Sequence, residues 1–112
     1  MNDDVIAWRE LTSEGRKMEI QVHRPLFDEE ANSYVCTWSL VDDSGNVLIS
    51  SDIWGMDALQ ALIHAIAIMG ERLAVEPYKL SWNGLPGPGL PRHVDPRKQP
   101  GIISIFTDLP RS

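Results

Sequence analysis

The first part of the chain alternates apolar and polar residues with the period of two that is typical of β-strands. The run from Met18 to Val22 alternates until Pro25 ends it. A shorter alternation at residues 6–9, followed by a polar turn at 12–15, predicts a first strand that pairs back on this run as a hairpin.

Two further strands are predicted before any helix. Residues 34–41 alternate in the same way, and residues 47–53 form a returning strand. Between them lies a cluster of turn-forming residues in which Gly45 can adopt the positive φ that a hairpin requires.

The period becomes helical from Ala58 to about Ala74, where large apolar residues recur at spacings of three and four. These residues are Leu59, Leu62, Ile63, Ile66, Met69 and Leu73. We expect this stripe to face the sheet. A flank of mostly small residues could admit a second helix and so allow a homodimer, although alanine on a half-exposed helix usually reflects helix propensity alone. The flank consists of Ala58, Ala61, Ala65 and Ile68.

After the helix the composition changes. Pro77 prevents the helix from continuing, and residues 78–82 alternate as a fifth strand. Residues 83–101 hold five of the eight prolines and four of the eight glycines, which predicts a long loop, and residues 102–107 are predicted as a last strand. The expected fold is one α+β domain over residues 1–112. It has an antiparallel, meander-like sheet of four to six strands packed against one long amphipathic helix, in the order ββββαββ.

The start of the helix has a mechanical explanation. If Asp57 is the N-cap, its carboxylate accepts a hydrogen bond from the Gln60 amide, and the Gln60 side chain reaches back to the Asp57 amide as a capping box. Gly55 allows the sharp change of direction between strand and helix. We therefore interpret Gly55, Asp57 and Gln60 as structural residues.

The run from Gly55 to Leu62, which reads GMDALQAL, also resembles a family of small bacterial proteins classed only as a domain of unknown function. A Gly-x-Asp-x-x-Gln-Ala-Leu stretch recurs in that family. The resemblance implies a bacterial origin and a small α+β fold, and it carries no activity and no site.

Charge and cysteine content limit the partners and the cellular compartment that we expect for this protein. The net charge of −6 has the wrong sign for a surface that neutralises phosphates, so nucleic acid is not expected as a partner. Cys36 is the only cysteine, which excludes an intrachain disulfide and fits a reducing compartment. The acidic start of the chain does not resemble a secretory leader, and the longest apolar stretch is too short to cross a bilayer. We therefore predict a cytoplasmic protein without a membrane partner.

The long loop contains the candidate binding residues. Its stretch 92–98 is a basic spot on an acidic chain and could receive a carboxylate, a phosphate or an acidic partner. The alternative is a solvated loop without a binding role. The candidates are Arg92, His93, Asp95, Arg97 and Lys98.

Enzyme and cofactor signatures are not found in the sequence. The three histidines lack metal-ligand spacing, and no nucleophile elbow or nucleotide-binding glycine pattern occurs. No catalytic residue, metal or cofactor is therefore predicted. The four tryptophans are expected to fill the core.

Two functions remain after these exclusions. The leading hypothesis is a noncatalytic protein-binding or accessory module, with an immunity-type protein as one form of it, that masks a basic partner protein with its acidic surface. The alternative is a small-molecule-binding protein, or an enzyme without a familiar motif, that uses the 83–101 loop as a lid.

Overall fold

The computed structural model describes residues 4–75 and 79–90, together with the backbone of 92–93 and 103–104. Among these residues, five strands precede one helix, and four short strands follow it. The strands are β1 Val5–Ser13, β2 Arg16–His23, β3 Leu26–Asp28, β4 Ser33–Asp42, β5 Val47–Gly55, β6 Leu80–Trp82, β7 Leu85–Pro86, β8 Arg92–His93 and β9 Ile103–Ser104; the helix α1 is Ala58–Val75. The α+β class and the antiparallel sheet are confirmed.

Seven of the described strands form one open antiparallel sheet. β4 lies near one side of it and pairs with β5 along one edge. Along its other edge β4 pairs first with β3 and then with β2, which are consecutive in the chain. The sheet continues through β1, β6 and β7, and β8 pairs separately with β9. The sheet exceeds the expected four to six strands because of two short strands: β3 lies between two of the predicted strands, and β7 lies in the segment predicted as a long loop.

Tight turns explain why the hairpins close where they do. Glu14 and Gly15 both have positive φ, as the two-residue turn between β1 and β2 requires. Asn83 and Gly84 also have positive φ and connect β6 to β7. This Asn-Gly turn corrects the prediction that 83–101 is loop throughout. At the β4–β5 turn Gly45 has a φ of 85°, as the sequence predicts.

The core lies between the helix and one face of the sheet. Strands β2 and β4 together with the helix supply most of it, with Trp38, Cys36 and Leu40 fully buried at its centre. Of the four tryptophans expected in the core, only Trp38 is fully buried, and Trp82 packs against the core from its margin. Trp8 and Trp54 are 56% and 44% exposed, so for these two the expectation is wrong.

The helix is rotated relative to the predicted stripe. Leu59 is 65% exposed and Ile63 is 41% exposed, although both were expected to face the sheet. The fully buried line along the helix is instead Ala61, Ala65, Met69 and Leu73. Small residues on the buried side let a helix approach a sheet closely, and two of the four residues in this line are alanines. The flank proposed for a homodimer is thus partly inside the core, because two of its four residues, Ala61 and Ala65, have no exposed surface.

A second layer contacts the helix on another side. The helix lies against β8, and Ala67, which does not belong to the buried line that faces the sheet, is also fully buried. Within the described residues, no helix is both long and apolar enough to span a membrane.

Candidate ligand-binding site

The junction between β5 and α1 is held by local hydrogen bonds. Asp57 Oδ1 accepts a hydrogen bond from the backbone N–H of Gln60 at 2.7 Å, which is the N-cap bond. The Gln60 side-chain oxygen accepts one from the backbone N–H of Met56 at 2.6 Å. The predicted partner was the Asp57 amide, so the returning bond of the capping box lies one residue earlier than expected.

Gly55 is required at this junction because the chain passes directly over the helix. A Cβ atom at Gly55 would lie 2.8 Å from Cα of Ala61 and 3.0 Å from the carbonyl carbon of Gln60. Both are backbone atoms, which cannot move aside as a flexible side chain can. Gly55, the cap residues and the buried Ala61 therefore lie in direct contact at the start of α1, and their purely structural role stays a prediction.

The loop residues that the sequence singled out are described only in part. Arg92 and His93 form β8 and pair with Ser104 and Ile103, and only their backbone is described. Asp95, Arg97 and Lys98 lie outside the described residues. The basic spot at 92–98 therefore stays a prediction.

A groove of about 250 Å³ lies between the first two strands, the helix flank and the chain at residues 89–90. We call it the Arg9 groove. Its lining is Ala7, Trp8, Arg9, Ile20, Val22, Ile66, Met69, Gly89 and Leu90. All of these except Arg9 are apolar or glycine, so the groove combines an apolar wall with a single cation.

Arg9 is fixed in position from two sides. Its Nη1 donates hydrogen bonds to the backbone carbonyls of Pro88 at 3.2 Å and Gly89 at 2.7 Å. Its guanidinium carbon lies 3.9 Å from the centre of the Trp82 ring, a cation–π contact. Burial lowers the pKa of Arg9 from its ordinary value, but an arginine still carries its charge at neutral pH.

Gly89 makes this arrangement possible. It has a φ of +66°, and a Cβ atom there would lie 2.9 Å from Cζ3 of Trp82 and closer still to Cε3. Because glycine lets the backbone lie on the ring, the carbonyls of residues 88 and 89 can face Arg9. The part of the proline-glycine segment beside the groove is thus ordered by Trp82 and Arg9.

The sequence analysis did not single out Arg9, although a signal was available. Arg9 alternates in phase with Leu11 and Ser13, which are both buried, so it occupies the core-facing side of β1. An arginine at such a position must meet a partner or a ligand. The more conspicuous Trp8 instead occupies the outward phase of the same strand.

Other reactive groups have structural surroundings. The Cys36 thiol has no exposed surface and donates a hydrogen bond to the carbonyl of His23 at 3.3 Å. Burial raises the pKa of Cys36 to about 11, so this thiol is unreactive at neutral pH. Among the residues that the structure describes, no group of three or more histidine, cysteine or acidic side chains could hold a metal ion.

Comparison with known proteins gives a family and no activity. No curated protein matches the chain, and no solved structure matches it. A family model described as a domain of unknown function, DUF6968, matches residues 7–92, a range that includes Arg9, the strand–helix junction and the Asn-Gly turn. A bacterial origin and recurrence of the GMDALQAL run in this family stay predictions. Because the match covers most of the chain, this protein belongs to the DUF6968 family.

Proposed function

We propose that this domain is a noncatalytic binding protein that takes a small apolar carboxylic acid in the Arg9 groove. The proposal rests chiefly on one observation. The half-buried guanidinium of Arg9 lies on an apolar wall, and no carboxylate in the described part of the chain lies within salt-bridge distance of it. A charged group in such a setting is costly unless it is paired.

The hydrogen-bond donors of Arg9 favour a carboxylate as its ligand. A guanidinium has five N–H donors, and Nη1 uses its two on the carbonyls of Pro88 and Gly89. Across residues 4–75 and 79–90, no acceptor is found for the three N–H donors of Nε and Nη2. These two nitrogens form the side of the fork that binds a carboxylate through two parallel hydrogen bonds. The contact with Trp82 holds the plane of the fork in place.

The groove limits the size of the ligand. Its volume of about 250 Å³ corresponds to about eight water molecules at roughly 30 Å³ each. A branched acid of about eight non-hydrogen atoms, such as 4-methylpentanoate, is small enough for this volume and offers an apolar end to the apolar lining.

The lining favours binding over catalysis. Within the described part of the chain, the groove contains no serine, cysteine, histidine or acidic side chain that could act as a nucleophile or general base. An arginine without such a neighbour orients an anion but does not transform it. The proposal thus follows the small-molecule alternative of the sequence analysis, with residues 88–90 as the nearest part of the predicted lid.

The test is a titration of the full chain with 4-methylpentanoate and, separately, with the neutral isostere 4-methylpentanamide, followed by backbone amide NMR. We expect the acid to shift the backbone N–H resonances of residues 7–9 and 89–90. The neutral 4-methylpentanamide should bind at least tenfold more weakly than the acid. Equal binding of acid and amide, or shifts confined to another surface, would refute the proposal. This comparison needs no variant protein.

Two variants refine the test. Arg9→Met removes the guanidinium and should weaken acid binding at least tenfold, and Arg9→Lys should give an intermediate loss because a lysine cannot form the two parallel bonds. Arg16→Met is the matched control, since Arg16 is exposed and pairs with Asp43 on the surface. It should leave acid binding within twofold of the wild-type value.

The proposed setting is the cytoplasm. Its support is the single cysteine, which is free and buried as expected for a protein from a reducing compartment.

A further inference from the structure

We propose that the free edge of β5 is a docking site for an extended, basic segment of another protein, which pairs with β5 as an added strand. This mode of recognition uses backbone hydrogen bonds for affinity and alternate side chains for specificity. The inference does not depend on the Arg9 groove, and it gives the acidic surface a defined partner.

The edge of β5 is open and lacks most protective features. Among the described strands β5 pairs only with β4, so one row of its backbone N–H and C=O groups has no strand partner. Exposed edges are usually protected by lysine, proline or a bulge. The β5 sequence contains no lysine, arginine or proline. Its bulge lies at the start, where Val47 and Ile49 pair with Val41 and Leu40, which leaves residues 49–55 in regular register.

The outward face of this edge has a distinct chemical order. Ser50, Asp52 and Trp54 follow one another at every second position, and all three are exposed. Asp52 is fixed by Thr37 on β4, whose hydroxyl donates a hydrogen bond to Asp52 Oδ1 at 2.6 Å. The second carboxylate oxygen, Oδ2, has no donor among the described residues. An oriented anion therefore lies beside a large aromatic ring on an unpaired strand.

The negative charge of the chain favours a cationic partner at the edge of β5. The same outward face carries Glu10 and Glu19 directly opposite each other on β1 and β2, with one cation, Lys17, beside them on β2. The whole chain has a net charge of −6, so a second copy on this edge would bring like charges together. A cationic segment would gain from the same field. The partner should therefore present lysine or arginine opposite Asp52 and an apolar residue two positions along, beside Trp54.

The experiment uses a blocked heptapeptide in which valine alternates with lysine, with glutamate in place of lysine in the control peptide. Each is titrated into the full chain, and amide shifts and hydrogen exchange are measured. We expect the lysine peptide to shift and protect amides in residues 49–54 and the glutamate peptide to bind at least tenfold more weakly. Protection elsewhere, or equal binding of the two peptides, would overturn the proposal.

Variants separate a specific edge from general attraction to an acidic protein. Asp52→Asn can keep the hydrogen bond from Thr37 and should weaken binding of the lysine peptide about fivefold. Asp52→Lys should weaken that binding more than tenfold. Glu29→Lys makes the same charge reversal on the exposed turn after β3, which lies on the other edge of β4 from β5, and should leave binding within twofold. An equal loss in Glu29→Lys would show that only net charge matters and would refute the docking site. Analytical sedimentation of the chain alone tests whether a second copy occupies the edge. If the wild-type chain is a dimer and Asp52→Lys dissociates it, the edge binds a second copy, and the proposal of a different partner protein is wrong.

Discussion

Replacing Gly55 by alanine tests the explanation of the strand–helix junction. The new Cβ atom would lie 2.8 Å from Cα of Ala61 and closer to its nitrogen. Gly55 is not among the residues with positive φ, so alanine has no backbone conformation to avoid there and any loss is steric. Because the obstructing atoms belong to the first turn of α1, relief requires the helix to move away from the sheet.

The size of the effect follows from this crowding. Overpacking of a well-packed interior costs about 1–3 kcal/mol, and rigid backbone on the receiving side places Gly55→Ala near the upper end. A loss of about 3 kcal/mol should lower the melting temperature by roughly 12 °C, at about 4 °C per kcal/mol for a domain near 100 residues. Thermal and urea unfolding followed by circular dichroism measure both quantities.

Gly45→Ala is the matched control for this substitution. Gly45 has a φ of +85°, and a Cβ atom there meets nothing within 4 Å. The free energy of unfolding that Gly45→Ala loses should reflect conformational strain alone, about 1–2 kcal/mol. The reasoning would be refuted if Gly55→Ala cost less than about 0.5 kcal/mol, or if Gly45→Ala cost clearly more than Gly55→Ala.

Three further predictions concern the cap, the groove and the buried thiol. Asp57→Ala should cost about 1 kcal/mol in chemical unfolding and leave 4-methylpentanoate binding unchanged; a binding loss at unaltered stability would contradict its structural role. Gly89→Ala should displace the Trp82 ring and weaken binding of the acid at least threefold in a titration. Binding as tight as in the wild type would show that the position of Trp82 does not matter for the site. Burial raises the pKa of Cys36 from 9.0 to about 11, so the folded chain keeps a proton that the unfolded chain releases. Its contribution to stability should fall as pH rises from about 9 to 11, and Cys36→Ala should flatten that decline in urea unfolding; an unchanged slope would contradict the assignment.

Local periodicity predicted the elements that depend on local chemistry. The helix starts at Ala58 as expected because a cap and a helical apolar period coincide there. The β4–β5 hairpin closes around Gly45, where Asp42 accepts hydrogen bonds from the backbone N–H groups of Ser44 and Asn46, each at 2.9 Å. These bonds, led by that of Asn46, lower the pKa of Asp42.

Properties that depend on packing could not be predicted in this way. Gly55 lies close to the Ala61 backbone in the first turn of α1, a contact that no apolar period reveals. A stripe of large residues and a line of alanines are both reasonable faces for a helix. Ala61 and Ala65 lie on the buried face, and Leu59 is left on the surface.

The candidate site was missed because its parts are distant in sequence. Arg9 donates hydrogen bonds to carbonyls some 80 residues later, at Pro88 and Gly89. A turn brings these residues near, and we missed it because the proline and glycine content of the segment predicted a loop. The Asn83-Gly84 dipeptide is a hairpin signal within that segment, and it brings the chain back beside β6. The pairing of β6 with β1 then brings residues 88–90 to Arg9.

The two proposed sites can be tested independently because the sheet separates them. Arg9 faces the helix side from β1, whereas Asp52 faces outward from β5, with β2 and β4 between these strands. Substitutions that share no neighbour usually act additively. Asp52→Lys should therefore leave acid binding unchanged, and Arg9→Met should leave peptide binding unchanged. If either variant impaired both ligands while the melting temperature stayed constant, the two ligands would share one surface, and the separate assignments of groove and edge would both be wrong.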